Sequence, residues 1–164
     1  MSNTTEQLLR QATVSTFEEL AFLFLEDECA IPDGDAPLDA IAAVDFHGPM
    51  RGRLVIRASS NLLPVIASNM MGEDAAQHRP MQRDALGEIA NVVCGNLLPM
   101  LAGSEAVFRL DAPQWRADMA DARDGDASIT RVRFGVEDGR AQAELFVFTG
   151  LAWLAATRPE HATA

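Results

Sequence analysis

Cationic residues are scarce in this sequence: 13 Lys and Arg stand against 24 Asp and Glu, a formal net charge of −11 over 164 residues. Nucleic-acid binding draws on a basic surface that displaces counterions from phosphates, and an anionic membrane makes the same demand, so the composition speaks against both as partners. Beyond that, an acidic surface signals little except solubility. Cysteine is scarcer still. Cys29 and Cys94 form no CxxC pair, and a disulfide between them is not expected in a reducing compartment. Cys94 falls inside a helical pattern and reads as a small buried hydrophobe. His47, His78 and His161 are scattered, with no HxxxH and no His/Cys cluster, so a structural zinc site lacks its ligands. The longest apolar run of the first half, residues 20–25, is far too short to span a bilayer. No N-terminal stretch combines a basic head, an apolar centre and a small-residue cleavage site, and the expected location is the cytoplasm. GxGxxG, P-loop, GxSxG and HExxH patterns are absent, which leaves nucleotide, serine-hydrolase and zincin chemistry unsupported.

What is present is ordinary for a globular protein: 48% hydrophobic and 23% charged residues, in a chain long enough for one sizeable core. One domain is expected over residues 1–150, with a flexible tail at 151–164, and the polar ends at 2–7 and 158–164 are expected to fray. Residues 7–27 carry apolar side chains at helical spacing, among them Leu8, Leu9, Phe17, Leu20, Ala21 and Phe24, with Phe22 and Leu23 widening the face. Pro32, Gly34 and Pro37 mark residues 31–38 as a loop. Residues 39–47 alternate loosely. Residues 50–58 read as a strand, with Leu54 and Ile56 inward and Arg53, Val55 and Arg57 outward, and Gly48-Pro49 joins the two.

A short helix follows over residues 59–71, with Pro64 near its first turn, and then a polar linker at 72–80. The second long helix is expected from residue 81 towards 102, with Pro99 kinking its last turns or ending it early. Residues 106–110, 128–136 and 141–148 look like strands, the last two joined by Glu137-Asp138-Gly139, and residues 115–125 form a charged connection. The order is long helix then strands, twice over. The expectation is an α+β fold of two related halves, each a long helix with antiparallel strands of one sheet.

The helix over residues 83–96 holds the informative side chains. At about 100° per residue, Asp84, Glu88, Asn91 and Gly95 fall within an arc of roughly 60°. Leu86, Ile89, Val93, Leu97 and Met100 lie opposite. A carboxylate and a carboxamide at i and i+3 stand about 5–6 Å apart and can reach one substrate group. Gly95 leaves the stripe bare one turn on, where another protein's backbone can approach. An isolated ExxN pair is most often solvated surface. Gly87 and Gly95 are less ordinary, since each costs about 1 kcal/mol of helix stability relative to alanine, which points to close packing or to a closely approaching partner.

The stretch from Asp84 through Gly87, Glu88 and Asn91 to Gly95-Asn96 resembles the signature helix of the CheC/CheX/FliY chemotaxis phosphatases. That pattern runs Asp or Ser, three residues, Glu, two residues, Asn, and later a proline. Pro113 stands 22 positions after Asn91, one earlier than the usual spacing. The order of elements resembles the family over residues 6–150. The motif often occurs twice in that family. In the first helix Ser15 and Glu19 sit at matching spacing, but Phe22 takes the asparagine position and cannot orient water, so this pair reads as structural. One motif in the second half is the CheX arrangement.

The resemblance implies hydrolysis of the aspartyl phosphate of a phosphorylated CheY-type receiver domain. In that chemistry Asn91 orders the water, Glu88 bridges to the receiver's active-site lysine, and Asp84 and Gly95 contact the partner. Asp84 also reads as a helix-start residue. The resemblance further implies that Mg²⁺ comes with the receiver, that this chain binds no metal or cofactor, and that it forms a homodimer. Two readings of other classes stand beside it: a receiver-binding or flagellar-switch-like module without hydrolysis, and a structural dimer built on the apolar stretch 17–25.

Overall fold

The computed structural model describes residues 2–27, 37–115 and 127–148. Cys29, His161, most of the loop at 31–38, most of the connection at 115–125, and the C-terminal tail lie outside them.

The first helix, α1 (Ser2–Ala21), starts and stops earlier than its apolar pattern. Its end is made by the backbone: Phe22 turns to φ 54°, and the Leu23 N–H closes back on the Phe17 carbonyl at 3.2 Å. That reversal buries Leu23 and throws Phe22 and Phe24 out to solvent. A left-handed residue at a helix end is commonly glycine; here a phenylalanine holds the strained position. The chain then adds a short edge strand, β1 (Glu26–Asp27), in place of more helix.

β2 (Ala40–His47) and β3 (Gly52–Ala58) form the expected hairpin in antiparallel register, from Ala40 opposite Ala58 to Phe46 opposite Gly52. A 3₁₀ turn over Ser60–Leu62 leads into α2 (Leu63–Met71), where Pro64 occupies the first turn. The segment expected as a linker contains a second 3₁₀ turn, Glu73–Gln77. α3 (Arg79–Ala102) then runs past Pro99 to Gly103 without ending early. Proline removes only the N–H that would bond the carbonyl four residues back, and that carbonyl belongs to exposed Gly95.

β4 (Arg109–Leu110) and β5 (Gln114–Trp115) are short and both pair with β2. β6 (Ala127–Val136) and β7 (Gly139–Phe148) form the second hairpin. Its two turn residues are Glu137 and Asp138, with Glu137 at φ 48°. Gly139 already pairs with Val136 and is glycine because a Cβ there would meet Leu62 at 2.7 Å.

The strands form one antiparallel sheet in the order β1-β6-β7-β3-β2-β4, with β5 also on β2. The two hairpins meet at β3–β7, so the sheet is arranged about a pseudo-twofold between them, as two related halves require. The core lies between the helices and one sheet face and includes Leu9, Phe17, Leu54, Ile56, Leu86 and Phe134. Val55 corrects the sequence reading. It points away from that core, as alternation demands, yet is fully buried in a second cluster with Ile41, Ala43 and Phe146. On β7, Glu144 is also buried and takes Arg57 at 2.6 Å and Arg131 at 2.7 Å. Burial works to raise the Glu144 pKa, but hydrogen bonds and charge from both arginines outweigh it and hold the carboxyl below its ordinary value.

α3 is long and apolar enough, by length and composition, to cross a membrane. Half of its apolar window is buried inside the fold, packed on α1, α2 and β2, which accounts for its hydrophobicity.

Candidate functional site

α3 is positioned by its buried side. Leu86, Ile89, Val93 and Leu97 are fully buried, and Ala85, Ala90 and Cys94 widen that contact. Met100, expected on the same side, is 41% exposed. The Cys94 thiol is pushed up to about 12, chiefly by burial and then by the nearby Asp45 carboxylate, so it is no nucleophile at neutral pH.

The remaining stripe faces outward. Asp84, Glu88 and Gly95 are exposed and Asn91 is half-buried. Among the described residues, neither the Glu88 nor the Asn91 side chain takes a hydrogen bond or an ion pair. Their acceptors and donors are open to a second molecule. Asp84 does not start the helix: it lies in the second turn, and the N-cap is His78, whose ring accepts from the Met81 N–H at 3.4 Å. Asp84 instead lines a cleft of about 500 Å³ with Arg83, Gly87, Glu88, Pro113 and Trp115.

That cleft joins parts of the chain that are distant in sequence. A Cβ on Gly87 would stand 3.0 Å from the Pro113 side chain, so Gly87 is the residue that lets the segment before β5 lie against α3. Gly95 is different: a Cβ there would meet nothing within 4 Å. The first glycine is explained by packing inside the chain and the second is not. Trp115 is brought beside α3 because β5 pairs with β2, placing it opposite Ala42. There the Arg83 guanidinium lies 5.1 Å from the Trp115 ring centre. Sequence reasoning missed this pair, for no local pattern links residues 83 and 115.

The first-helix site is also corrected. Phe22 lies beyond the end of α1, so Ser15, Glu19 and Phe22 do not share one helix. Glu88 and Asn91 stand fourteen and eleven residues before the end of α3 at Ala102. The same counts back from Ala21 reach Gln7 and Arg10. Arg10 is fully engaged: it pairs with Asp27 and Glu6 and lies 5.2 Å from the Phe134 ring centre. Among the described residues there is no group of three or more His, Cys, Asp or Glu that would hold a metal ion.

Several solved structures share this fold. A chemotaxis protein CheX from Desulfovibrio desulfuricans superposes with a TM-score of 0.70 at 16% identity, covering 87% of this chain and 98% of that one. Chemotaxis protein CheX from Vibrio vulnificus gives a TM-score of 0.69 at 22% identity, covering 90% and 98%. The CheX–CheY–BeF₃–Mg²⁺ complex from Borrelia burgdorferi gives 0.67 at 15% identity, covering 87% and 97%. No curated protein matches the sequence. The sequence profile described as chemotaxis phosphatase CheX matches residues 40–129, more than half of the chain and all of the α3 stripe. With the fold, the motif helix and that match in agreement, the chain belongs to the CheX family.

Proposed function

We propose that this protein hydrolyses the aspartyl phosphate of a phosphorylated CheY-type receiver domain, with Asn91 and Glu88 as its catalytic residues. The observation that carries the reading is the pair itself: a carboxylate and a carboxamide one helical turn apart, outward-facing, without partners among the described residues, and beside an open cleft. The chemistry suits such a pair. An acyl phosphate is already activated, and its Mg²⁺ and anionic cradle belong to the receiver, so the remaining task is to hold a water in line with phosphorus. The Asn91 carboxamide accepts from that water while donating elsewhere, with no shifted pKa required. Glu88 pairs with the receiver's active-site lysine and fixes the register of docking. Asp84 and Gly95 contact the receiver on either side, Gly95 because its bare backbone admits close approach. This chain supplies no metal of its own, and it acts in the cytoplasm.

The protein also works as a homodimer in this reading. Phe22 and Phe24, 65% and 69% exposed just beyond α1, are the apolar surface that supports it. Light scattering at tens of micromolar, roughly where modest interfaces associate, should give twice the chain mass; a monomer mass would count against it.

The functional test is phosphate release from a panel of phosphorylated receiver domains, with and without the protein. Acceleration for at least one receiver is expected. Tight binding to phosphorylated receivers with no acceleration of any would make this a binding module instead.

A further inference from the structure

We infer that Arg83, held on the face of Trp115, is a docking residue that reads a carboxylate on the receiver domain beside its phosphorylation pocket. The inference rests on the phosphatase reading above and names a contact that docks its substrate.

Three observations carry it. Glu88 lines the cleft and stands one turn from Asn91 on the same stripe, so a partner seated over that pair borders the cleft. Arg83 is the cation among the residues lining that cleft, in a chain of net charge −11. Among the described residues Arg83 makes no hydrogen bond or ion pair. Helix geometry explains why: its neighbours three and four residues on are Leu86 and Gly87, and those before it are Pro80 and Arg79, so no helical partner carries an acid.

The indole face holds the guanidinium 5.1 Å from the ring centre, and its N–H donors are not used within the fold among the described residues. Such a fork is shaped for a carboxylate. A receiver's phosphorylation pocket holds Mg²⁺ through carboxylates, and in this inference Arg83 meets a further acid on the surface beside that pocket. Glu88 is engaged with the receiver's lysine, and Asp84 alone would repel such an acid. Arg83 supplies the opposite charge at a fixed distance along the helix from Asn91, giving attraction and register together.

The test is steady-state dephosphorylation of a receiver that the wild type serves, with binding to a receiver carrying a stable phosphoryl mimic measured in parallel. Arg83→Gln should raise KM on the order of tenfold and leave kcat within about twofold, as expected when a docking contact is lost. Arg83→Glu should raise KM further, and Arg83→Lys should recover part of the loss, since lysine keeps the charge but not the fork. The salt dependence of kcat/KM should flatten in Arg83→Gln. Arg133→Gln, the same charge change on the sheet face away from the helices, should leave KM unmoved. A wild-type KM in Arg83→Glu overturns the inference while the phosphatase reading stands, as does a loss confined to kcat. If the wild type neither binds nor serves any receiver, the phosphatase reading falls and takes this inference with it.

Discussion

α1 and α3 do the same structural work in the two halves of the molecule: each packs on the same sheet face and leads into a short strand at an edge. They differ at the position that matches Asn91. At the positions that match Glu88 and Asn91 by distance from the helix end, α1 has Gln7 and Arg10. Arg10 is consumed by Glu6, Asp27 and the Phe134 ring, tying α1 to β1 and β6. In α3 the corresponding polar groups have no partner among the described residues. A side chain whose polar groups are satisfied within the fold holds the fold; one whose polar groups are open is available to another molecule.

The sharpest way to break this contrast is to exchange carboxylates. Glu144 is a carboxylate the fold uses, itself buried and paired with two arginines that reach solvent. Glu144→Gln removes the charge that both arginines pair with and should cost about 2 kcal/mol of stability, read from denaturant unfolding, with kcat unchanged in the folded fraction. The pH dependence has a definite sign. The folded pKa lies below the unfolded value of about 4.3, so this contribution is complete above that pH and is lost as pH falls through the folded value. Glu144→Gln should therefore flatten the acid limb of the stability profile.

Glu88 should answer the opposite way. Glu88→Ala is expected to lower kcat/KM roughly 30-fold, about 2 kcal/mol, with weaker receiver binding and unfolding within about 0.5 kcal/mol of the wild type. Gly95→Ala comes next. It should stabilise the helix by about 1 kcal/mol, because no atom opposes a Cβ there, while weakening the receiver complex several-fold. Stabilisation with unchanged affinity would mean that no backbone approaches at Gly95. The smallest effect belongs to Glu19→Ala, exposed on α1, which should move neither turnover nor stability measurably.

The strands and the α3 stripe were legible because each rests on a local period: the alternation in β3, the hairpin after Val136, the narrow arc of Asp84, Glu88, Asn91 and Gly95. What escaped was decided by tertiary contact. The apolar pattern runs on past Ala21, but burying Leu23 turns the chain over Phe22 and ends the helix. Val55 looked outward, and does point away from the helices, but that sheet face carries its own buried cluster. Asp-Gly signalled a hairpin correctly although Gly139 is set by contact with Leu62 and sits in the strand. The cleft was invisible because Gly87 meets Pro113, and Arg83 meets Trp115, only after β5 has paired with β2.

The central claim is that α3 presents Asn91 to order the attacking water, and single-turnover dephosphorylation at saturating protein tests it most directly. Asn91→Ala should bind a receiver carrying a stable phosphoryl mimic nearly as well as the wild type and unfold at nearly the same denaturant concentration. Its hydrolysis rate should fall on the order of 10²-fold or more, as when a positioned reactant is lost. Full dephosphorylation by Asn91→Ala of a receiver that the wild type serves would contradict the account.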